Sequence, residues 1–84
     1  MAKIEVYTTP YCPYCVAAKK LLNKKNVEFT EFDVSGDSVL RDEMIVRANG
    51  GHTVPQIFIN DKLIGGFDDM AEMNALGELD PLLS

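Results

Sequence analysis

The apolar and polar residues of this chain alternate at first and then recur with the period of a helix. Residues 3–8 place β-branched side chains at every second position, which predicts a β-strand. Residues 13–25 carry apolar side chains three and four positions apart, which predicts a helix. The inward stripe of this helix contains Cys15, Ala18 and Leu22. One cysteine is therefore expected to face the core.

The pattern further along the chain predicts three more strands and two more helices. The expected elements are a strand over residues 27–34, a helix from about residue 37 to about residue 49, strands over residues 56–59 and 62–64, and a helix to about residue 76. Asn60 and Asp61 tolerate positive φ and predict a hairpin turn between the last two strands. Asp68 or Asp69 is expected to cap the last helix.

The order β-α-β-α-β-β-α predicts an α/β fold. A helix joins the first two strands, so we expect them to be parallel with a right-handed crossover. The hairpin then adds an antiparallel pair. The result is a mixed four-stranded sheet with helices on its faces, and a length of 84 residues predicts that residues 1–84 form a single domain.

Charge and hydropathy exclude several classes of function. The formal net charge of −5 argues against nucleic acid or an anionic membrane as the main partner. No apolar run approaches the roughly 18 residues of a membrane span, and the first residues lack the pattern of a secretory signal. We therefore expect a reducing compartment, the cytoplasm, where two cysteines seldom serve as a structural disulfide.

The chemistry is expected at Cys12-Pro13-Tyr14-Cys15. With Cys12 at the N-cap and Pro13 at the first helical position, the backbone N–H groups of Tyr14 and Cys15 point towards the Cys12 sulfur. These donors and the positive end of the helix favour the thiolate, the form that attacks a disulfide. Cys15 lies on the inward stripe and is expected to be the buried, resolving thiol.

Two other interpretations of the cysteine pair are weaker. Zinc usually requires four ligands, and the chain offers two cysteines and one distant histidine, His52, so we expect no metal. A purely structural disulfide between residues 12 and 15 would close a loop too short to constrain much of the chain. His52 is expected to be a surface residue.

Three motifs together resemble the glutaredoxin family, and the similarity covers nearly the whole chain. They are the dithiol motif at 12–15, the segment Thr53-Val54-Pro55-Gln56-Ile57-Phe58-Ile59 and the glycine-pair loop Gly65-Gly66-Phe67-Asp68-Asp69. The most similar members are the small bacterial-type dithiol glutaredoxins. The resemblance implies a thioredoxin-like fold in which Pro55 is cis and stands opposite the Cys12 sulfur.

The resemblance also implies a glutathione site. The residues that it assigns to glutathione binding are Tyr14, Arg41, Thr53, Val54, Pro55, Gly66, Phe67, Asp68 and Asp69. Asp68 or Asp69 would hold the charged γ-glutamyl end. Many relatives have a lysine three residues before the first cysteine, where this chain has Thr9, which predicts somewhat weaker glutathione binding. Arg41 or Lys19 is expected to compensate.

The implied activity is glutathione-dependent thiol–disulfide exchange, with Cys12 as nucleophile and Cys15 as resolving thiol. Glutathione would be the co-substrate, and the partners would be disulfide-containing or glutathionylated proteins. Glutathione reductase would act indirectly, through glutathione disulfide, and the chain is expected to be a monomer. Two alternatives stay open at this point: a carrier of an iron–sulfur cluster ligated by glutathione, and an electron donor recharged by thioredoxin reductase.

Overall fold

The computed structural model describes residues 2–84, and within them the chain forms four strands and four helices. In chain order they are β1 (Ile4–Thr8), α1 (Pro13–Lys24), β2 (Thr30–Asp33), α2 (Ser38–Arg47), β3 (Gln56–Ile59), β4 (Lys62–Gly65), α3 (Phe67–Ala75) and α4 (Leu79–Leu83). None of the helices within this described part is long and apolar enough to cross a membrane.

The strands form one mixed sheet in the order β2-β1-β3-β4. β1 is parallel to β2 and antiparallel to β3, and β3 is antiparallel to β4. The predicted α/β architecture, with a parallel pair joined through a helix and an antiparallel hairpin, is confirmed. The hairpin turn lies at Asn60 and Asp61, both of which have positive φ.

The alternation along the strands divides the core between the two faces of the sheet. On one face, side chains of β1 and β3 pack against α1, α3 and α4; this cluster contains Ile4, Val6, Ala18, Leu22, Ile57, Ile59, Met70, Leu79 and Leu83. On the other face the cluster contains Tyr7, Val34, Met44, Ala48 and Phe58, with Met44 and Ala48 supplied by α2 and its C-cap. Helix α1, which contains Cys15 and has Cys12 as its N-cap, thus lies on the first face.

Three local expectations were wrong. β2 begins at Thr30 and not at residue 27, because only the later residues reach hydrogen-bonding register with β1, although Val27 and Phe29 still pack against the core. The N-cap of α3 is Gly66 and not an aspartate, although Asp69 takes part in the cap because its carboxylate accepts a hydrogen bond from the Gly66 N–H. Helix α4 was not expected, because five residues that include a proline give too short a pattern; the buried pair at Leu79 and Leu83, four positions apart, was its signal.

Candidate active site

The turn from β1 to α1 presents Cys12 at the N-cap of the helix. Cys12 has extended φ and ψ of −102° and 109°, and Pro13 follows at the first helical position. The backbone N–H of Cys15 donates to the Cys12 sulfur over 3.2 Å. The amide of Tyr14, expected as a second donor, makes no such bond among the described residues, because a capping atom is aligned with one of the two amides at a time. The predicted N-cap geometry is otherwise confirmed.

The segment before β3 approaches the same sulfur from the other side. The Val54–Pro55 peptide bond is cis, as the resemblance implied. The carbonyl oxygen of Val54 lies 3.8 Å from the Cys12 sulfur and accepts a weak hydrogen bond from the thiol. These two contacts place the Cys12 sulfur between the N-terminus of α1 and the backbone of Val54. Cys12 is partly exposed there.

Cys15 has a different environment. Only 1% of its surface is exposed, and neither cysteine is in a disulfide. Burial, and after it the hydrogen bond with the Cys12 thiol, raise the pKa of the Cys15 thiol to about 11, against the smaller opposite effects of the Thr9 backbone and the Lys19 charge. The two thiols of one motif therefore differ sharply: Cys12 is open to a substrate, while Cys15 is covered and stays protonated near neutral pH.

A groove of about 430 Å³ lies beside the cysteine turn. The residues that line it come from α1, the loop before β3, the first residue of β3 and the glycine-pair loop; they are Tyr14, Thr53, Val54, Pro55, Gln56, Gly65, Gly66, Phe67, Asp68 and Asp69. Every residue that sequence analysis assigned to glutathione binding is in this set, except Arg41. Gln56 and Gly65 were missed, although each directly adjoins a residue that was named.

The glycine pair shapes one wall of the groove. Gly65 has a φ of 117°, and a side chain there would collide with the carboxylate of Asp69. That carboxylate accepts a hydrogen bond of 2.9 Å from the backbone N–H of Gly66. Both aspartates are exposed, but the Asp69 carboxylate is already hydrogen-bonded at the start of α3. Of the two aspartates, Asp68 has the side chain that is more available to a ligand.

Arg41 lies behind the groove and not in its lining. Its guanidinium Nη2 donates to the carbonyl oxygen of His52 over 2.9 Å, and His52 itself is exposed. The bond connects α2 to the loop that carries Thr53 and Val54, so Arg41 supports this wall from outside. Its direct contact with glutathione stays a prediction.

Lys19, the other cation considered for this role, has a partner on β2. Its Nζ lies 2.9 Å from Oε2 of Glu31, which also accepts a hydrogen bond of 2.7 Å from the Thr8 hydroxyl. The flank of α1 that carries Lys19 therefore faces β2, away from the groove. As for a metal, residues 2–84 contain no group of three or more histidine, cysteine, aspartate or glutamate side chains that could hold one.

Comparison with known proteins places this geometry in context. The family model described as Glutaredoxin matches residues 4–64. The chain is 52% identical over 83 residues to Glutaredoxin 3 of Escherichia coli, covering 99% of each protein. It is 51% identical over 82 residues to a probable glutaredoxin of Synechocystis, covering 98% of this chain and 93% of that relative.

Solved structures agree with these sequence matches. A buckwheat glutaredoxin–glutathione complex superposes with a TM-score of 0.88 at 28% identity, over 98% of this chain and 76% of that one. A dithiolic glutaredoxin of Trypanosoma brucei brucei gives 0.88 at 41% identity, over 98% and 87%. The predicted thioredoxin-like fold is confirmed, and Cys12 and Cys15 lie within the matched segment.

Proposed function

This chain belongs to the glutaredoxin family of thiol–disulfide oxidoreductases, and we propose that it draws its electrons from glutathione. The observation that carries the proposal is the groove, which begins at Tyr14 beside the reactive turn and ends at the N-terminus of α3. An extended tripeptide with its thiol at Cys12 would lie along it. The buckwheat relative, which is described as a glutathione complex, supports the same ligand.

In the proposed reaction, Cys12 is the nucleophile. Its thiolate attacks the glutathionyl sulfur of a mixed disulfide, so that a Cys12–glutathione disulfide forms and the substrate cysteine leaves and takes up a proton. A second glutathione thiolate then attacks the glutathionyl sulfur, which releases glutathione disulfide and regenerates Cys12. Cys15 is not needed on this route, in keeping with its burial and its raised pKa.

Protein disulfides require the second thiol. After Cys12 attacks a protein disulfide, the Cys15 sulfur attacks Cys12, so that the Cys12–Cys15 disulfide forms and the second protein thiol leaves with the proton that Cys15 loses. Two glutathione molecules then reduce the pair. The Cys15 amide already holds the Cys12 sulfur at 3.2 Å, which keeps the two cysteines, three positions apart, within one turn for this step.

The groove suggests how glutathione would be oriented. The backbone at Val54 offers strand-like hydrogen bonds to the cysteinyl part of the ligand. The start of α3 suits the γ-glutamyl carboxylate, and the exposed Asp68 suits the ammonium. Tyr14 would flank the sulfur, and Phe67 would form an apolar wall. Thr9 offers no charge to the glycine carboxylate, so its replacement by lysine should tighten binding.

The proposal includes the wider setting of the reaction. Residues 1–84 would act as a single, monomeric domain in the cytoplasm. The protein partners would be disulfide-containing or glutathionylated proteins, and glutathione reductase would be coupled only through glutathione disulfide.

The test is glutathione-dependent reduction of a small mixed disulfide, coupled to NADPH through glutathione reductase. Wild type and Cys15→Ser should be active. The rate of reduction by Cys12→Ser should be at least about 100-fold lower, because this variant has no other accessible thiolate. Inactive wild type would overturn the proposal. Activity with thioredoxin reductase in place of glutathione, or a visible cluster absorption after anaerobic purification, would then favour one of the two alternatives.

A further inference from the structure

Tyr11 has a backbone conformation that its residue type does not favour. Its φ is 62°, in the left-handed region, where the Cβ of an L-residue crowds the backbone. In residues 2–84, the other non-glycine residues with positive φ are all asparagine or aspartate, the types that tolerate this region best; they are Asn26, Asn49, Asn60 and Asp61. Tyr11 is therefore the exception, and it directly precedes the nucleophile.

The side chain of Tyr11 gains no burial that would offset the strain of this backbone conformation. It is 99% exposed, so its ring neither packs on the core nor covers the groove. Asparagine or glycine at this position would form the same turn with less strain and without placing an aromatic ring in water. A function outside the folded monomer would explain why an aromatic residue stands there.

The position of Tyr11 relative to the groove indicates what this function is. Tyr14 lines the groove on one flank of α1, and Val16, two residues further, projects about 200° away from it on the helical wheel. Val16 is 45% exposed and lies on the flank where Lys19 contacts β2. Tyr11, which directly precedes Cys12, and Val16, whose backbone N–H donates to the Cys12 carbonyl over 3.0 Å, are thus two exposed residues near Cys12 that the groove does not include.

A mixed disulfide that reaches Cys12 has two halves, and the groove accommodates one of them. We infer that Tyr11 determines specificity for the other half: it contacts an apolar side chain next to the modified cysteine of a protein substrate. This inference rests on the proposed function, because it assumes that glutathione occupies the groove. Contact between Tyr11 and an aliphatic side chain of the substrate would remove both apolar surfaces from water. In the free protein the Tyr11 ring stays exposed.

Two glutathionylated peptides that differ only beside the cysteine provide the test, one with leucine and the other with serine at the flanking positions. For wild type, kcat/KM should favour the leucine peptide about fivefold, the effect of partly burying one leucine side chain. Tyr11→Asn should bring this ratio close to one, whereas Tyr11→Phe should keep it. Leu76→Asn, which removes an exposed apolar side chain on α3's C-cap, should also keep it.

Stability supplies an independent readout. Tyr11→Asn should unfold at a higher urea concentration than wild type, because asparagine tolerates the left-handed conformation. A ratio that Tyr11→Asn leaves unchanged would overturn the inference. Wild type that fails to reduce the mixed disulfide of cysteine and glutathione would instead overturn the proposed function itself, so the two failures are distinguishable.

Discussion

The two faces of the sheet hold their helices by different means. The face under α1, α3 and α4 is packed with apolar side chains, and Leu22 and Ile57 there are completely buried. The face under α2 buries Tyr7, whose hydroxyl accepts a hydrogen bond of 2.7 Å from Arg47 and lies 3.1 Å from Glu43. Nη2 of Arg47 also donates to Oε1 of Glu5 over 2.9 Å.

This fold tolerates partly buried charge on the face under α2. On the α2 face, the Arg47 guanidinium lies 4.2 Å from the centre of the Phe58 ring and bridges the helix to β1. The reactive helix lies on the opposite face, where an ion would change the pKa of the buried Cys15 thiol. Lys19 is the charged side chain that affects Cys15, and it stands at the edge, paired with Glu31.

Leu22→Ala should cause the largest loss of stability, because it opens a cavity beneath α1. Leu22 is 0% exposed, and we expect the free energy of unfolding to fall by about 2–5 kcal/mol. Urea denaturation measures this change. Leu76→Ala is the matched control, since Leu76 is 64% exposed and should change stability by less than about 0.5 kcal/mol. Equal losses in the two variants would contradict the apolar account of this face.

Arg47→Met should cause the second largest loss of stability, because it breaks the polar contacts of the face under α2. It leaves the Glu5 carboxylate and the Tyr7 hydroxyl without this partner, and we expect a loss of about 1–3 kcal/mol. Lys25→Met is the control: it removes an ion pair of 2.8 Å with the exposed Asp80 and should cost no more than about 1 kcal/mol. A loss in Arg47→Met no larger than in this control would contradict the view that α2 is held by partly buried charges.

The smallest expected effect is the pH dependence that Cys15 adds to stability. Its pKa rises from 9.0 to about 11 on folding, mainly through burial. A raised pKa means that the folded state retains the proton longer, so the stability from the neutral thiol is complete below pH 9 and is lost as the pH rises towards 11. We expect this contribution to fall by about 1 kcal/mol between about pH 8 and about pH 10.

Urea denaturation of wild type and Cys15→Ala over this pH range isolates the contribution. The two variants differ in absolute stability, because the alanine leaves a cavity, but only wild type should show the additional alkaline decline. Parallel pH profiles would contradict the assignment of a buried, protonated Cys15.

Local sequence signals predicted most of the fold and the N-cap position of Cys12, whereas the roles of the site residues stay predictions. The order of strands and helices was predicted from the change between strand-like and helix-like hydrophobic periods along the chain. The N-cap position of Cys12 was predicted from Pro13, which follows it at the first helical position. The groove followed from the motif resemblance, because its walls are the segments that carry the motifs. These features depend on residues close in sequence or on segments with a distinctive composition.

The features that sequence analysis missed depend on tertiary context. Helix α4 has five residues, and what fixes it is the burial of Leu79 and Leu83 against the first face. The start of β2 depends on its register with β1. The hydrogen bond from Arg41 to the His52 carbonyl joins α2 to a loop eleven residues away, and no local pattern reveals it; a contact between Arg41 and glutathione stays a prediction. The left-handed conformation of Tyr11 contradicts the preference of its residue type, so propensity alone could not predict it.

The proposed roles of Cys12 as nucleophile and Cys15 as resolving thiol are tested most directly by trapping the Cys12–glutathione disulfide. Cys15→Ser, incubated with glutathione disulfide and analysed by intact mass spectrometry, should carry one glutathionyl group, on Cys12. Wild type under the same conditions should accumulate the Cys12–Cys15 disulfide instead, and Cys12→Ser should remain unmodified because Cys15 is buried. A glutathionyl group on Cys12→Ser, with none on Cys15→Ser, would contradict the account.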